Sequence, residues 1–152
     1  MTTHAETRVM PYSARQMYDL IADIERYPEF LPWCAAVRER ARRMEGEVET
    51  VDAEMIVSFK VFREKFGSRV ILHPAENRIN VSYIDGPFKY LENRWTFTQL
   101  PDGKCEVDFF VDFEFKSRLL QGAAGIFFNE AMQRVVRAFE GRAEELYGAK
   151  GA

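Results

Sequence analysis

Apolar residues recur along this chain with two different periods. From about residue 35 to residue 115 the period is two: Val51, Ala53, Met55, Val57 and Phe59 alternate with Thr50, Asp52, Glu54, Ile56 and Ser58. That is the signature of a strand with one face buried. The alternation continues over 61–72, 78–84, 90–100 and 104–115, broken by the turn signals HPAEN, DGPF and PDGK, and an EG pair at 45–46 closes a hairpin with the segment before it. In the last of these runs Val107, Phe109, Val111, Phe113 and Phe115 share a face opposite Asp108, Asp112 and Glu114. Short connections between about six strands predict an antiparallel sheet, and ETRVM (6–10), ended by Pro11, adds one more extended segment.

The period shifts toward 3.6 at both ends of this block. Ser13 with Gln16 three residues later has the spacing of a capping box, and Met17, Leu20, Ile21 and Ile24 follow at helical intervals, which predicts a helix over about 14–22. The stretch DIERYPEFLPWC (23–34) leaves room for only one short helical turn, because Pro28 and Pro32 disfavour helix in the residues before them. At the other end, Leu120, Ala124, Phe127, Ala131, Val135, Phe139 and Leu146 follow three- and four-residue steps. This predicts one long helix over 117–148, bent near Gly122 and Gly125.

The order of elements predicts an α+β fold: a curved antiparallel sheet of about seven strands wrapped around a long C-terminal helix, with two short helices after the first strand. That helix is the long amphipathic element able to cover the apolar face of the sheet. A sheet gripping one helix does not close along its whole length, so a cavity is expected between them. Length and composition are those of a single domain, 1–152, with no Pro-, Gly- or Ser-rich linker. The 13 Phe residues need burial that such a cavity wall provides.

Charge narrows the picture further. A net charge of −3 gives no general attraction to nucleic acid or to an acidic bilayer, although a local basic patch remains open. Cys34 and Cys105 lack metal-ligand spacing, and no signal peptide is apparent, so a cytoplasmic protein is expected, with peripheral contact at the inner membrane an open possibility. The run LLQGAAGIFF (119–128) is about half the roughly 20 residues of a membrane-spanning helix. His4 and His73 sit in no metal or charge-relay spacing, and there is no phosphate-binding glycine loop, so neither a metal, a catalytic residue nor a catalytic cofactor is expected.

The segments YPEFLPWC, GPFKYLENRWTF and FEFKSRLLQGAAGIFFNEAMQRVVRAFEGRAEELYG resemble the coenzyme Q-binding branch of the START-like (polyketide cyclase, Bet v 1-type) helix-grip superfamily, over nearly the whole chain. The resemblance implies a non-catalytic ubiquinone-binding chaperone that supports respiration. It also implies kinship with bacterial proteins described as ribosome-association toxins. Mitochondrial members carry a targeting extension, so the sequence looks like a bacterial member or a mature chain.

Candidate ligand-binding residues follow from the two readings together. Tyr27, Phe30, Leu31 and Trp33 either plug one end of the core or form a portal held rigid by the flanking prolines. Met55, Val57, Phe59, Phe66, Tyr83, Trp95 and Phe113 are expected to face the helix, and Phe127, Phe128, Met132 and Val136 to face the sheet. Phe88 and Tyr90, after the Gly86-Pro87 turn, either belong to a sheet edge with solvated charges or lie near the cavity mouth, where Phe88 would dip into an interface and Lys89 meet phosphate headgroups. Arg38, Arg40 and Arg42 alternate onto one strand face. They form either a basic patch for RNA or membrane, or a row neutralised across a hairpin by Glu47, Glu49 and Asp52.

Overall fold

A computed structural model describes residues 2–59 and 62–148. Strand β1 (Thr2–Met10) leads to α1 (Ala14–Ala22) and a short 3-10 segment (Ile24–Glu29). Strands β2 (Cys34–Glu45), β3 (Val48–Phe59), β4 (Phe62–His73), β5 (Arg78–Asp85), β6 (Phe88–Gln99) and β7 (Cys105–Phe115) follow, and α2 (Arg118–Tyr147) ends the described chain. The sheet runs β1-β7-β6-β5-β4-β3-β2 with every neighbour antiparallel. This is the α+β helix-grip arrangement that the hydrophobic pattern predicts. Because β1 and β2 form opposite edges, α1 and the 3-10 segment must cross from one edge to the other. Helix α1 packs on β5, β6, β7 and α2 as it does so.

The short helix forms where its cap requires. The Ser13 side chain accepts from the Gln16 N–H, and the Gln16 side chain accepts from the Ser13 N–H. Its apolar face, Met17, Leu20 and Ile21, packs with Met10, Phe97, Phe139 and Ala143 into a densely buried end of the molecule. The C-terminus of α2 is tied there: Tyr12 donates its hydroxyl hydrogen to the Gly148 carbonyl at 2.7 Å, and Tyr147 donates to the Gln16 carbonyl at 2.8 Å.

β1 is longer than the sequence pattern predicts. Thr2 and His4, added inward positions, and Glu6 at the start of the predicted segment are polar and break the expected alternation, yet each is paired. Thr2 accepts from Gln121 of α2 at 2.8 Å, and His4 Nε2 lies 3.0 Å from Glu6 Oε1 between the rings of Phe109 and Phe128.

The arginine row of β2 does not survive folding. Arg38 lies opposite Glu54 and Arg42 opposite Val51, with a bulge between Glu39 and Ala41, so Arg38 and Arg42 fall on different faces. Arg40 at the bulge binds Glu54 and Asp85, both at 2.9 Å, and Arg42 binds Glu39 and Glu49 at 2.7 and 2.8 Å. The cross-strand neutralisation is the outcome, with Glu49 as one of the three acids named for it.

Candidate functional site: a two-chambered cavity

At the end of the molecule away from α1, the sheet and α2 separate. An outer chamber of about 220 Å³ lies between Trp33, Val57, Phe66, Phe88, Phe113 and Phe115 on one side and Leu120, Ala123, Ala124, Phe127, Phe128, Ala131 and Met132 of α2 on the other, with Glu64 and Pro87 at its border. An inner chamber of about 210 Å³ follows along the helix. Tyr27, Leu31, Met55, Trp95, Phe109, Val135 and Phe139 are among its walls. Phe66 and Met132 border both chambers, so these two side chains form the partition.

The sequence explains why a hollow forms here. Three alanines, Ala123, Ala124 and Ala131, face the sheet from the first half of α2 and leave space that larger residues would fill. Opposite them the aromatic wall is braced by its own contacts: Phe88 stacks on Phe115 with centroids 4.7 Å apart and meets Phe66, Tyr83 and Phe113 edge-on at 5.3, 5.6 and 5.6 Å. Gly86 permits this. Its φ is +136°, and a Cβ built on it would lie 2.6 Å from the Phe66 Cβ.

The expected site residues distribute unevenly. Tyr27, Leu31, Met55 and Trp95 line the inner chamber; Trp33, Val57, Phe88, Phe113, Phe127 and Phe128 line the outer; Phe66 and Met132 touch both. Phe30 lines neither. It packs edge-on against Tyr27 and Phe139 at 5.9 and 5.4 Å, beneath the Arg142 guanidinium. Tyr83 braces Phe88 and its hydroxyl accepts the Phe88 N–H at 3.1 Å. Val136 lies on a separate hollow of about 40 Å³ beside Phe139. Tyr90 stands on the outer face, its hydroxyl 3.4 Å from Asp112, because a register shift between Phe88 and Tyr90 reverses the alternation. Phe88 is buried rather than presented to an interface, and Lys89 pairs with Glu114 at 3.0 Å. The Phe59 side chain lies outside the described residues.

The proline-bounded segment therefore divides its work. Tyr27, buried, donates its hydroxyl hydrogen to the Ile21 carbonyl, and with Phe30 it plugs the end of the groove; Leu31 and Trp33 face the chambers. Trp33 takes a left-handed φ of 67°, and its carbonyl accepts the Ser58 N–H at 2.8 Å, which anchors the segment to β3. Arg142 of α2 adds a bond to Glu29 at 2.8 Å.

Several lining residues escaped the sequence reading. The alanines read as ordinary helix formers. Glu64 and Ser68 share the inward parity of Phe66, and Asn93 that of Trp95, but they are polar positions in otherwise apolar rows. Parity alone would have found them. Burial pushes the Cys34 and Cys105 thiols up to about 11, so neither is an activated nucleophile. Among the described residues no three His, Cys, Asp or Glu side chains gather as a metal site, and no helix is long and apolar enough to cross a membrane.

A curved sheet gripping a C-terminal helix around an apolar cavity defines the START-like class. The chain belongs to the family described as polyketide cyclase / dehydrase and lipid transport, whose model matches residues 10–140. The ribosome association toxin RatA of Rickettsia prowazekii is 36% identical over 149 residues, covering 96% of this chain and 99% of that protein. The mitochondrial coenzyme Q-binding protein COQ10 homolog B of Xenopus laevis is 34% identical over 149 residues, 95% of this chain and 59% of that protein. The solution structure of the 18 kDa protein CC1736 from Caulobacter crescentus superposes with a TM-score of 0.82 at 40% identity, covering 98% of this chain and all of that one.

Proposed function

We propose that this protein is a non-catalytic carrier for ubiquinone or a closely similar isoprenoid lipid. The observation that carries the reading is the pair of chambers along α2, walled almost entirely by apolar side chains and partitioned by an aromatic ring and a flexible methionine. Burial of each methylene is worth about 0.8 kcal/mol, so one or two isoprene units outweigh a single polar contact. The similarity to a coenzyme Q-binding protein supports the choice of quinone over other apolar ligands. Native mass spectrometry of the protein purified from a quinone-producing host should find one bound quinone; a bare mass that stays bare after incubation with quinone-loaded vesicles would sink the proposal.

Contact with a membrane fits the start of α2. Leu119 and Ile126, one above the other on the outward face, are 78% and 77% exposed. No acidic residue lies between Glu114 and Glu130, whereas Lys116 and Arg118 flank the patch. This face adjoins the outer chamber and would meet an anionic bilayer with apolar side chains and positive charge.

A second reading, interference with association of ribosomal subunits, is favoured by the name of the Rickettsia relative. The paired state of Arg40 and Arg42 withdraws the basic row that would have served it. Polysome profiles after overexpression decide: a fall in monosomes with free subunits accumulating supports it, and an unchanged profile removes it.

A further inference from the structure

The two chambers differ in polarity in a way that orients a ligand. Ser68 is 7% exposed and lines the inner chamber, a hydroxyl-bearing side chain in a mostly apolar wall. A hydroxyl on the wall of a chamber can donate to a ligand oxygen. The residue stands at a register irregularity: Gly67 pairs with Asp85 and Ser68 with Tyr83, so Ile84 is extra, and such bulges re-aim side chains. Asn93 lines the same chamber on the same face of the sheet, opposite Val81, which itself pairs with Val70, the next inward position after Ser68. Its Oδ1 accepts from Trp95 Nε1–H at 3.1 Å and its Nδ2 donates to the Phe110 carbonyl at 2.8 Å. That fixes the amide orientation and leaves its second amide hydrogen to spare. The outer chamber, by contrast, is apolar except for Glu64 at its border, an acceptor that would repel ring oxygens.

Resting on the carrier reading, we propose that the ligand enters head first: its oxygenated ring lodges in the inner chamber, with Ser68 Oγ–H and Asn93 Nδ2–H donating to ring oxygens. The isoprenoid tail then passes Phe66 and Met132 into the outer chamber and leaves between the β5–β6 turn and the start of α2. Burial on the far side supports this direction. Beyond the inner chamber lie Met17, Ile21 and Phe97 and a hollow of only about 40 Å³, too small to continue a long tail. Each chamber is also smaller than the roughly 300–1,000 Å³ of pockets that enclose a drug-sized ligand, so a polyprenyl chain must run on through the mouth. Ser68 is then the residue that separates a quinone from a plain polyprenol.

The two tryptophans test this, since one lines each chamber: Trp95 the inner, Trp33 the outer. A quinone ring quenches an excited indole by accepting an electron at near-contact distance. In the W33F variant, with Trp95 as the reporter, a ubiquinone bearing two isoprene units should quench strongly, whereas in W95F quenching of Trp33 should be weak. If W95F fails to fold, the difference between wild type and W33F gives the same information. S68A should weaken that quinone about fivefold, the scale of one neutral hydrogen bond, while farnesol binding and the melting temperature stay unchanged. Quenching confined to Trp33, with S68A indistinguishable from wild type, would overturn the head-first orientation and leave the carrier reading standing. No quenching together with no bound quinone by mass would remove both.

Discussion

The two ends of the groove between the sheet and α2 use the same small residue for opposite purposes. At the closed end Ala143 is fully buried, and its size lets the helix settle against Met10, Met17 and Ile21. At the open end Ala123, Ala124 and Ala131 face a void. The difference lies in what stands opposite. α1 crosses the sheet at the closed end and fills it, whereas at the open end the wall is aromatic and is braced against itself through Phe88. An alanine in a helix is thus neutral information until the partner surface is known: stability resides at one end and capacity at the other.

The sharpest way to break this contrast is at Phe139, which meets Tyr27, Phe30 and Trp95 at 5.6, 5.4 and 5.3 Å. Phe139→Ala is expected to cost about 3–5 kcal/mol in denaturant unfolding, since it empties packed core. Gly86→Ala comes next. The clash with Phe66 and the positive φ should cost about 2 kcal/mol and, unlike most destabilising changes, displace the partition between the chambers. Ala124→Leu should do the reverse of Phe139→Ala. By filling a void it should gain about 0.5–1 kcal/mol while abolishing lipid uptake, and loss of stability there would mean that the open end is packed after all.

The smallest effect concerns neither end. Arg40 holds the Asp85 and Glu54 carboxyls below the usual carboxylate range through hydrogen bonds, and Arg69 does the same to Asp52. These groups have lower pKa values folded than unfolded, so the pairs stabilise the fold above the ordinary carboxylate range, and that contribution fades as pH falls through it. Melting temperature should decline gently from pH 5 to pH 3, less so in Arg40→Gln, with ligand affinity unaffected until unfolding begins.

How much of this the sequence disclosed depended on whether the alternation was intact. In β3 and β7 no bulge intervenes, and the inward rows from Val51 to Val57 and from Val107 to Phe115 were legible directly. Tyr90 and the arginines of β2 were misplaced for one shared reason. A bulge adds a residue to one strand and reverses parity beyond it, and no change of composition marks its position. The helix over Ala14–Ala22 was visible because capping is local. The chambers were not: a void is defined by side chains from several strands and a helix failing to meet, and Ser68 and Asn93 matter only once that failure has a location.

Extraction of ubiquinone from loaded vesicles by wild type and Ala124→Leu, compared side by side, measures most directly whether the open end is a lipid cavity. Wild type should remove quinone up to one molecule per protein and the filled variant almost none, with both fully folded. Equal extraction by the two proteins, or none by either, would contradict it.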